Sequence, residues 1–385
     1  MRRRRADFVG MSGQVAKKPV VSSREPRVDV LRGFSLLCIF VDHIPGDDLN
    51  TLTPRNFGFS DAAELFVMLA GFASMTAYGR SFDRDGARAG LRRIALRCLR
   101  LYVFQIGLLL ATLMIVWSWT THFRLTPLDL APMLAGGVPS IVRGLLLQAQ
   151  PSNLNILPLY IVLLAIFPIL YAGMRISPFL ALSASALLWI ATNLDPNLNF
   201  IDPVDGNHWF FNPFAWQFLF ALGAGMSVVM RRNGGSLPRH PVLIWLSAAM
   251  LLAGFLETFP WRDWHLPNLT PIAMDPPDKT NLSPLRLLHA VALVYLVLTW
   301  SGLRNALTWR PVVWLEACGR HSLEVFSLGT LLGVFAGLAF RTYGFAEPMQ
   351  LAVNAIGLGS AIALALRLEH DRSRQTVGGV PVVRS

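Results

Sequence analysis

Long apolar segments recur along the whole chain, and they constrain its fold more than any motif does. A helix that crosses a lipid bilayer needs about 20 predominantly apolar residues. Only 15% of the residues are charged, against roughly 25% in soluble domains. The sequence therefore predicts an all-α, multi-pass membrane protein with about ten transmembrane helices. The predicted spans are 28–45, 59–78, 95–119, 154–173, 178–193, 212–230, 241–258, 285–302, 321–340 and 349–367.

Other stretches do not have the length or the apolar character of a span. The segment 131–148 is weakly amphipathic and is broken by Gly136, Gly137 and Pro139, so we expect an interfacial or re-entrant segment, with an eleventh span as the alternative. A basic run near the N-terminus is followed by polar residues and not by an apolar stretch, so we expect no removable signal peptide. The predicted organisation is a basic disordered tail at 1–27, a transmembrane domain at 28–367 and a second tail at 368–385.

Lysine and arginine are unevenly distributed between alternate loops of this arrangement. With the N-terminus inside, 26 of the 34 Lys and Arg residues lie in cytoplasmic segments, seven lie outside, and Arg32 lies within the first span. Positive charge concentrates on the cytoplasmic side of membrane proteins. The distribution therefore predicts that both termini are cytoplasmic. It also explains the net charge of +11 without a nucleic-acid partner.

The first predicted span carries ionisable residues that an ordinary membrane anchor would not need. Arg32 and His43 are 11 positions apart, which at 100° per residue places them within about 20° of one helix face and about 16 Å apart along its axis. Asp29 precedes Arg32 by three residues, a spacing at which the two side chains can pair. This arrangement suits an acyl-CoA whose phosphates meet Arg32 and whose thioester meets His43. The alternative is that Arg32 extends to the membrane surface and His43 caps the helix before Pro45.

The second predicted span opens with Asp61 and Glu64, three residues apart on one face of a helix N-terminus. Asp61 can be an N-cap, but Glu64 lies inside the apolar stretch, where a carboxylate needs a partner. His43 on the adjacent helix is the expected partner. A carboxylate that orients an imidazole is half of a general-base pair. We therefore predict His43 as the catalytic base, with Glu64 or Asp61 orienting it.

Polar residues also recur near the ends of later spans, which indicates an internal cavity. Each of them alone is equally typical of a helix cap or an interfacial anchor. Aromatic and acidic residues in the loops 194–211 and 259–284 suit the stacking of sugars, or else form the interfacial belt of a membrane protein. The histidines are scattered without paired spacing, so no metal site is predicted. The predicted substrate-binding residues are Asp29, Arg32, Arg55, Trp216, Gln217, Asn281, Arg286, His289 and His321.

The stretch from Arg27 to Arg80, RVDVLRGFSLLCIFVDHIPGDDLNTLTPRNFGFSDAAELFVMLAGFASMTAYGR, resembles the OpgC family of osmoregulated periplasmic glucan succinyltransferases. Stretches at 157–164, 211–223, 278–293 and 318–329 also resemble it, so the resemblance covers about residues 27–340. That family is similar to the wider acyltransferase-3 superfamily, in which an Arg precedes a His by the spacing of Arg32 and His43. A superfamily motif ending in Ser-Gly-Phe is echoed at 65–72, with Ala70 in place of the serine.

The resemblance implies a bacterial inner-membrane enzyme that moves a succinyl group from cytoplasmic succinyl-CoA to hydroxyls of periplasmic glucans. Its expected partners are acyl-CoA, the glucan acceptor, membrane lipid and glucan-synthesis proteins, with no permanently bound cofactor. Arg286 is the expected clamp for the succinyl carboxylate, and Arg55 is the second candidate. The alternatives are an O-acetyltransferase for another envelope polysaccharide, and a transporter or flippase, although the internal repeats of many transporters are not evident.

Overall fold

The computed structural model describes residues 25–126, 130–270, 274–300, 302 and 309–378. These residues are mainly helical, and the only β-structure among them is a single bridge between Ile201 and His208. The predicted N-terminal tail lies outside the described residues as far as residue 24. The α-helices are α1 (Pro26–Asp42), α2 (Ala62–Ser74), α3 (Arg80–Asp85), α4 (Ala87–Phe123), α5 (Ala131–Ala135), α6 (Gly137–Leu145), α7 (Ile156–Ile176), α8 (Pro178–Leu194), α9 (Pro213–Arg232), α10 (Pro241–Thr258), α11 (Pro284–Thr299), α12 (Arg310–Arg320), α13 (Ser322–Tyr343) and α14 (Glu347–Gly378).

All ten predicted spans coincide with helices. Among the described residues, seven helices are long and apolar enough to cross a membrane: Ala62–Asp85, α4, α7, α9, α10, α13 and α14. The first of these joins α2 to α3 through a π-helical turn at Met75–Gly79. Helices α8 and α11 are apolar but shorter, and α1 has 17 residues that include four charged ones. The all-α fold is thus confirmed, while the number of spans and their orientation stay predictions.

The structure bears on the alternative span at 131–148, and it differs from the expectation at α12 and at both ends of the predicted domain. Helices α5 and α6, with five and nine residues, are too short to cross a bilayer, so residues 131–148 provide no eleventh helix of spanning length. Helix α12 lies in a stretch for which no helix was predicted. At the two ends of the predicted domain, α1 already begins at Pro26 and α14 continues beyond residue 367 to Gly378.

Glycines bring two pairs of helices into backbone contact. A Cβ on Gly33 of α1 would lie 1.8 Å from the carbonyl oxygen of Leu315 in α12, and one on Gly319 would lie 1.8 Å from that of Asp29. In the same way, a Cβ on Gly71 of α2 would clash with the backbone of α9, and a Cβ on Gly223 of α9 would clash with the backbone of α2. Small residues permit such close approach between helices in membranes. The glycines therefore fix α1 against α12 and α2 against α9.

Helices α2, α7 and α9 share one direction, and this defines two ends of the molecule. Each begins beside the loops that contain residues 43–61, 149–155 and 196–211. Each then runs toward the other end, where α3 and the C-termini of α7 and α9 meet. With 21 and 20 residues at 1.5 Å per residue, α7 and α9 separate the two ends by about 30 Å.

Candidate functional site

A cavity of about 1120 Å³ lies at the end of the molecule where α2, α7 and α9 begin. Its walls come from the loop after α1, the segment before α7, the loop between α8 and α9 and the loop before α11. Five of the residues predicted from the sequence line it together: His43, Arg55, Asp61, Asn281 and Arg286. We call this space the His43 cavity.

His43 is positioned by the backbone of its own helix. It is the C-cap of α1, it is half-buried, and its Nδ1 lies 2.5 Å from the carbonyl oxygen of Ile39. A ring nitrogen that contacts a carbonyl oxygen at this distance carries the proton, which leaves Nε2 as the basic nitrogen. The predicted pairing of His43 with Glu64 is therefore wrong, because a backbone carbonyl occupies the orienting position.

Glu64 is fully buried and uses both carboxylate oxygens elsewhere. Its Oε2 accepts a hydrogen bond from the backbone nitrogen of Asp61 at 2.9 Å, while Asp61 Oδ1 accepts one from the backbone nitrogen of Ala63 at 2.8 Å. This is a reciprocal capping box at the start of α2. Glu64 Oε1 accepts a hydrogen bond from Arg286 Nε at 2.7 Å. Glu64 thus holds α2 and α11 together beneath the cavity wall.

Asp61 joins the same network from the loop that precedes α2. Its Oδ2 accepts hydrogen bonds from Lys279 Nζ at 2.5 Å and from Arg286 Nη2 at 2.9 Å. Lys279 also lies 5.8 Å from the ring centres of Phe210 and Phe211. Two carboxylates and two cations therefore neutralise one another in this wall.

The two arginines of the cavity differ in their partners. Arg286 is mostly buried and is engaged by Asp61 and Glu64. Arg55 is exposed on the cavity wall and makes no hydrogen bond or ion pair with another described residue. A new anion in the cavity therefore meets a free guanidinium at Arg55, whereas Arg286 would have to exchange an existing partner.

Gln150 and Asn153, for which no role was predicted, lie in the cavity wall before α7. The side-chain nitrogen and oxygen of Gln150 are buried, and neither has a hydrogen-bond partner among the described residues. Asn153 has a φ of 67° and lines the cavity beside His43. The segment has no helical periodicity and no charge, so the sequence gives no signal that would have identified them. Lys279, in the loop 259–284, is a third wall residue for which no role was predicted.

A narrow crevice of about 10 Å³ runs between α1 and α13 and ends at His43 and Asn153. Leu36 and Ile39 of α1 line one side, and Phe326 of α13 lies on the other. Arg32 lies one turn before Leu36 on the same face, 7% exposed. Its Nη2 donates a hydrogen bond to Ser322 Oγ of α13 at 2.7 Å, and its guanidinium lies over the ring of Phe66. Arg32 and His43 therefore both face α13, as their spacing predicts.

Three other predicted substrate-binding residues support the walls of the cavity without lining it. Trp216 is completely buried, and its Nε1 donates hydrogen bonds to the carbonyl oxygens of Lys279 and Thr280. Gln217 Nε2 donates to the carbonyl oxygen of Ser185 at 2.8 Å, and His289 Nδ1 lies 2.7 Å from Ser60 Oγ. These contacts fix the surrounding helices and loops.

Two predicted residues lie at the opposite end of α1. Asp29 Oδ2 is 3.9 Å from Arg320 Nε, and His321 Nε2 is 3.0 Å from Glu369 Oε2. Neither residue lines the cavity. Among the described residues, no group of three or more His, Cys, Asp or Glu side chains is placed to hold a metal ion.

Comparison with known proteins adds one finding to this geometry. A family model described as OpgC protein matches residues 24–373, which includes the whole stretch that carries the sequence resemblance. No curated protein and no solved structure matches the chain.

Proposed function

Because the chain belongs to the OpgC protein family, we propose that it is a membrane O-acyltransferase that moves a succinyl group from cytoplasmic succinyl-CoA to hydroxyls of periplasmic glucans. In this proposal the apolar helices cross the bacterial inner membrane, both termini are cytoplasmic, and the His43 cavity opens to the periplasm. The distribution of Lys and Arg supports this orientation. The spacing of Arg32 and His43, which is similar to that of the acyltransferase-3 superfamily, supports the reaction type.

The main support for the proposal is the contact of His43 Nδ1 with the Ile39 carbonyl oxygen, at the meeting point of the cavity and the crevice. With Nδ1 bonded to the Ile39 carbonyl oxygen, Nε2 can accept the proton of a sugar hydroxyl. The sugar oxygen then forms an ester bond with the thioester carbon, the carbon–sulfur bond breaks, and the leaving thiolate takes the proton from His43. Direct transfer and an acyl-histidine intermediate both fit this arrangement.

The donor is proposed to approach along the face that α1 presents to α13. Arg32, Leu36, Ile39 and His43 follow one another along this face at helical spacing, so a cation at one end is connected to an imidazole at the other by apolar residues. A crevice of about 10 Å³ is too narrow for a pantetheine arm. Donor binding would therefore separate α1 from α13, and the Arg32–Ser322 hydrogen bond is the polar contact that has to open.

The acceptor is proposed to occupy the wide part of the cavity. Its volume of about 1120 Å³ exceeds the roughly 300–1,000 Å³ of small-molecule pockets, as expected for an oligosaccharide. Trp209 and Phe210 supply aromatic faces, and the exposed side chains of Asp205, Asn207 and His208 supply polar groups for sugar hydroxyls. The carboxylates of Asp61 and Glu64 are engaged by Lys279 and Arg286, so they fix the cavity wall and are not free to bind the acceptor.

The transferred succinyl group carries a carboxylate that needs a cation near His43. The sequence favoured Arg286 for this role, but the ion pairs of Arg286 with Asp61 and Glu64 reduce its availability. Arg55 lines the same cavity without such partners. We therefore propose Arg55 as the residue that binds the succinyl carboxylate, with Arg286 in a structural role.

Mass spectrometry of periplasmic glucans tests this function. Cells that produce the protein should carry glucans with added succinyl mass, and cells without it should carry unmodified glucans. Acetyl mass in place of succinyl mass would instead indicate an O-acetyltransferase. Unmodified glucans in both strains, with a change only in glucan export, would contradict the proposal and favour a transporter.

A further inference from the structure

A second pocket, of about 500 Å³, lies at the end of the molecule opposite the His43 cavity. It forms where α3 and the C-termini of α7 and α9 meet, about 30 Å from the cavity along those helices. We call it the Arg231 pocket. Its lining residues are Met75, Asp83, Tyr171, Met174, Arg175, Val228, Arg231 and Arg232.

The Arg231 pocket contains more positive charge than its own groups neutralise. Asp83 is the one carboxylate among its lining residues in the described part of the chain. It accepts hydrogen bonds from Tyr171 Oη at 2.6 Å, from Arg175 Nη1 at 3.0 Å and from Arg231 Nη1 at 3.3 Å. Arg232 makes no hydrogen bond or ion pair with another described residue. Two guanidinium groups therefore share a single carboxylate, and a third guanidinium group, that of Arg232, has none.

The position of these arginines has a structural explanation that accounts for only part of the arrangement. Arg175, Arg231 and Arg232 lie in the last turns of α7 and α9, where basic side chains stabilise the helix dipole. Stabilisation of a helix dipole does not require that the three side chains border one common pocket. Here the arginines border one open volume with an apolar floor of Met75, Met174 and Val228. This volume falls within the roughly 300–1,000 Å³ of small-molecule sites.

We propose that the Arg231 pocket binds a phosphate group, carried either by a lipid headgroup or by a soluble nucleotide. Guanidinium groups bind phosphate oxygens in a planar, bidentate manner, and a surplus of two positive charges favours such an anion. The apolar floor can accept the glycerol or the sugar next to the phosphate. This site is separate from the His43 cavity, and its occupancy does not depend on acyl transfer.

Binding to the purified full-length protein in a neutral detergent tests the site, with two probes that separate the sources. Monomeric dihexanoyl phosphatidic acid represents the lipid headgroup, and adenosine 3′,5′-bisphosphate represents the nucleotide. The R231Q/R232Q variant should weaken binding of the cognate probe at least ~10-fold, because hydrogen bonds to charged groups are lost. The Asp83→Asn variant should strengthen it several-fold, because the competing carboxylate is removed.

The R88Q/R92Q variant is the matched control, since it removes two exposed arginines of α4 that do not line the pocket. This control should leave affinity within about twofold of the wild type. Equal weakening by the control, or no weakening by R231Q/R232Q for either probe, would overturn the proposal. Weaker binding by a folded Asp83→Asn variant would do so as well. A response confined to one probe identifies the source of the phosphate.

Discussion

The His43 cavity and the Arg231 pocket lie at opposite ends of α7 and α9, and they differ in how their charges are matched. In the cavity wall, Lys279 and Arg286 are bound to Asp61 and Glu64, and the four charges cancel. In the pocket, Asp83 is the one lining carboxylate in the described part of the chain for three arginines, and it pairs with Arg175 and Arg231. The cavity network is largely buried, whereas the arginines of the pocket are exposed to solvent.

This difference in charge balance indicates which ligands the His43 cavity and the Arg231 pocket are suited to bind. A balanced, buried network fixes the loops of the cavity, and exposed lining carboxylates such as Asp205 and Asp275 can accept hydrogen bonds from a polyhydroxylated acceptor. An unbalanced cluster attracts anions and raises their local concentration. Similar residue types therefore serve different purposes, and the number of carboxylates that face each arginine decides which purpose is served.

The largest expected effect is at the chemical centre of the cavity. His43→Ala should lower the rate of succinyl transfer by about 10²–10⁴-fold, because the general base is removed. The measurement is succinyl incorporation into glucan by membranes with equal amounts of protein. His122→Ala is the matched control, since His122 is exposed on α4 and does not line the cavity. Near-normal transfer by His43→Ala would remove His43 from the mechanism.

The contrast in charge balance should also appear in the thermal stability of variants that lose one arginine from either site. Arg286→Met leaves Glu64 buried without its cation, and loss of one partner of a buried pair costs about 3–5 kcal/mol. Arg231→Met at the exposed pocket should cost at most about 1 kcal/mol. Thermal unfolding in detergent would show a large drop in Tm for the first variant and a small one for the second. Equal decreases in Tm would mean that the ion pairs of the cavity wall stabilise the fold no more than those of the Arg231 pocket.

A rescue variant separates charge from packing in this comparison. Adding Glu64→Gln to Arg286→Met removes the unpaired carboxylate, so the double variant should recover part of the lost Tm. Glu64→Gln on its own should weaken the link between α2 and α11. If the double variant is as unstable as the sum of the two single variants, the ion pair is not what stabilises the cavity wall.

The helices and one helix face could be predicted from the sequence, because both follow from local patterns. Hydropathy located ten of the fourteen described α-helices, and the 11-residue spacing placed Arg32 and His43 on one face of α1. The capping box was also readable, since Asp61 and Glu64 have its three-residue spacing. The prediction nevertheless paired Glu64 with His43. A carboxylate inside an apolar stretch needs a partner, but the sequence does not show which residue that partner is. The partner, Arg286, is 222 residues away.

The remaining parts of the cavity could not be predicted for a related reason. Gln150 and Asn153 lie in a loop without periodicity, and only the folded chain brings them beside His43. Arg55 and Arg286 both appeared in the sequence as outer cations, yet the sequence could not show which of the two already has partners. Contacts between distant segments decide these roles.

Donor selectivity should distinguish Arg55 from Arg286 as the residue that binds the succinyl carboxylate. Arg55→Leu should reduce the preference for succinyl-CoA over acetyl-CoA by about 10-fold or more, since a hydrogen bond to a charged group contributes about 1.5–3 kcal/mol. Competition between the two donors in membranes measures this preference. If Arg286→Met loses the preference in membranes that contain folded protein, while Arg55→Leu keeps it, the clamp is Arg286.

The smallest effect is expected at the far end of the crevice. Arg32→Lys keeps the charge but loses the planar fork that binds phosphate, so the apparent KM for succinyl-CoA should rise several-fold with a smaller change in kcat. Ser322→Ala, which removes one hydrogen-bond partner of Arg32, should leave the KM unchanged or lower it. An equal loss in kcat and in kcat/KM for Arg32→Lys would instead place Arg32 in the transition state.

In the proposed reaction, His43 connects a donor on one side of the membrane with an acceptor on the other. Proteoliposomes of known protein orientation, with succinyl-CoA sealed inside and glucan outside, test it directly. For proteins whose N-terminus faces the lumen, we predict succinyl esters on the external glucan without any ion gradient, and none with His43→Ala. Transfer that needs a gradient, or that occurs only when donor and acceptor share one compartment, would contradict this account.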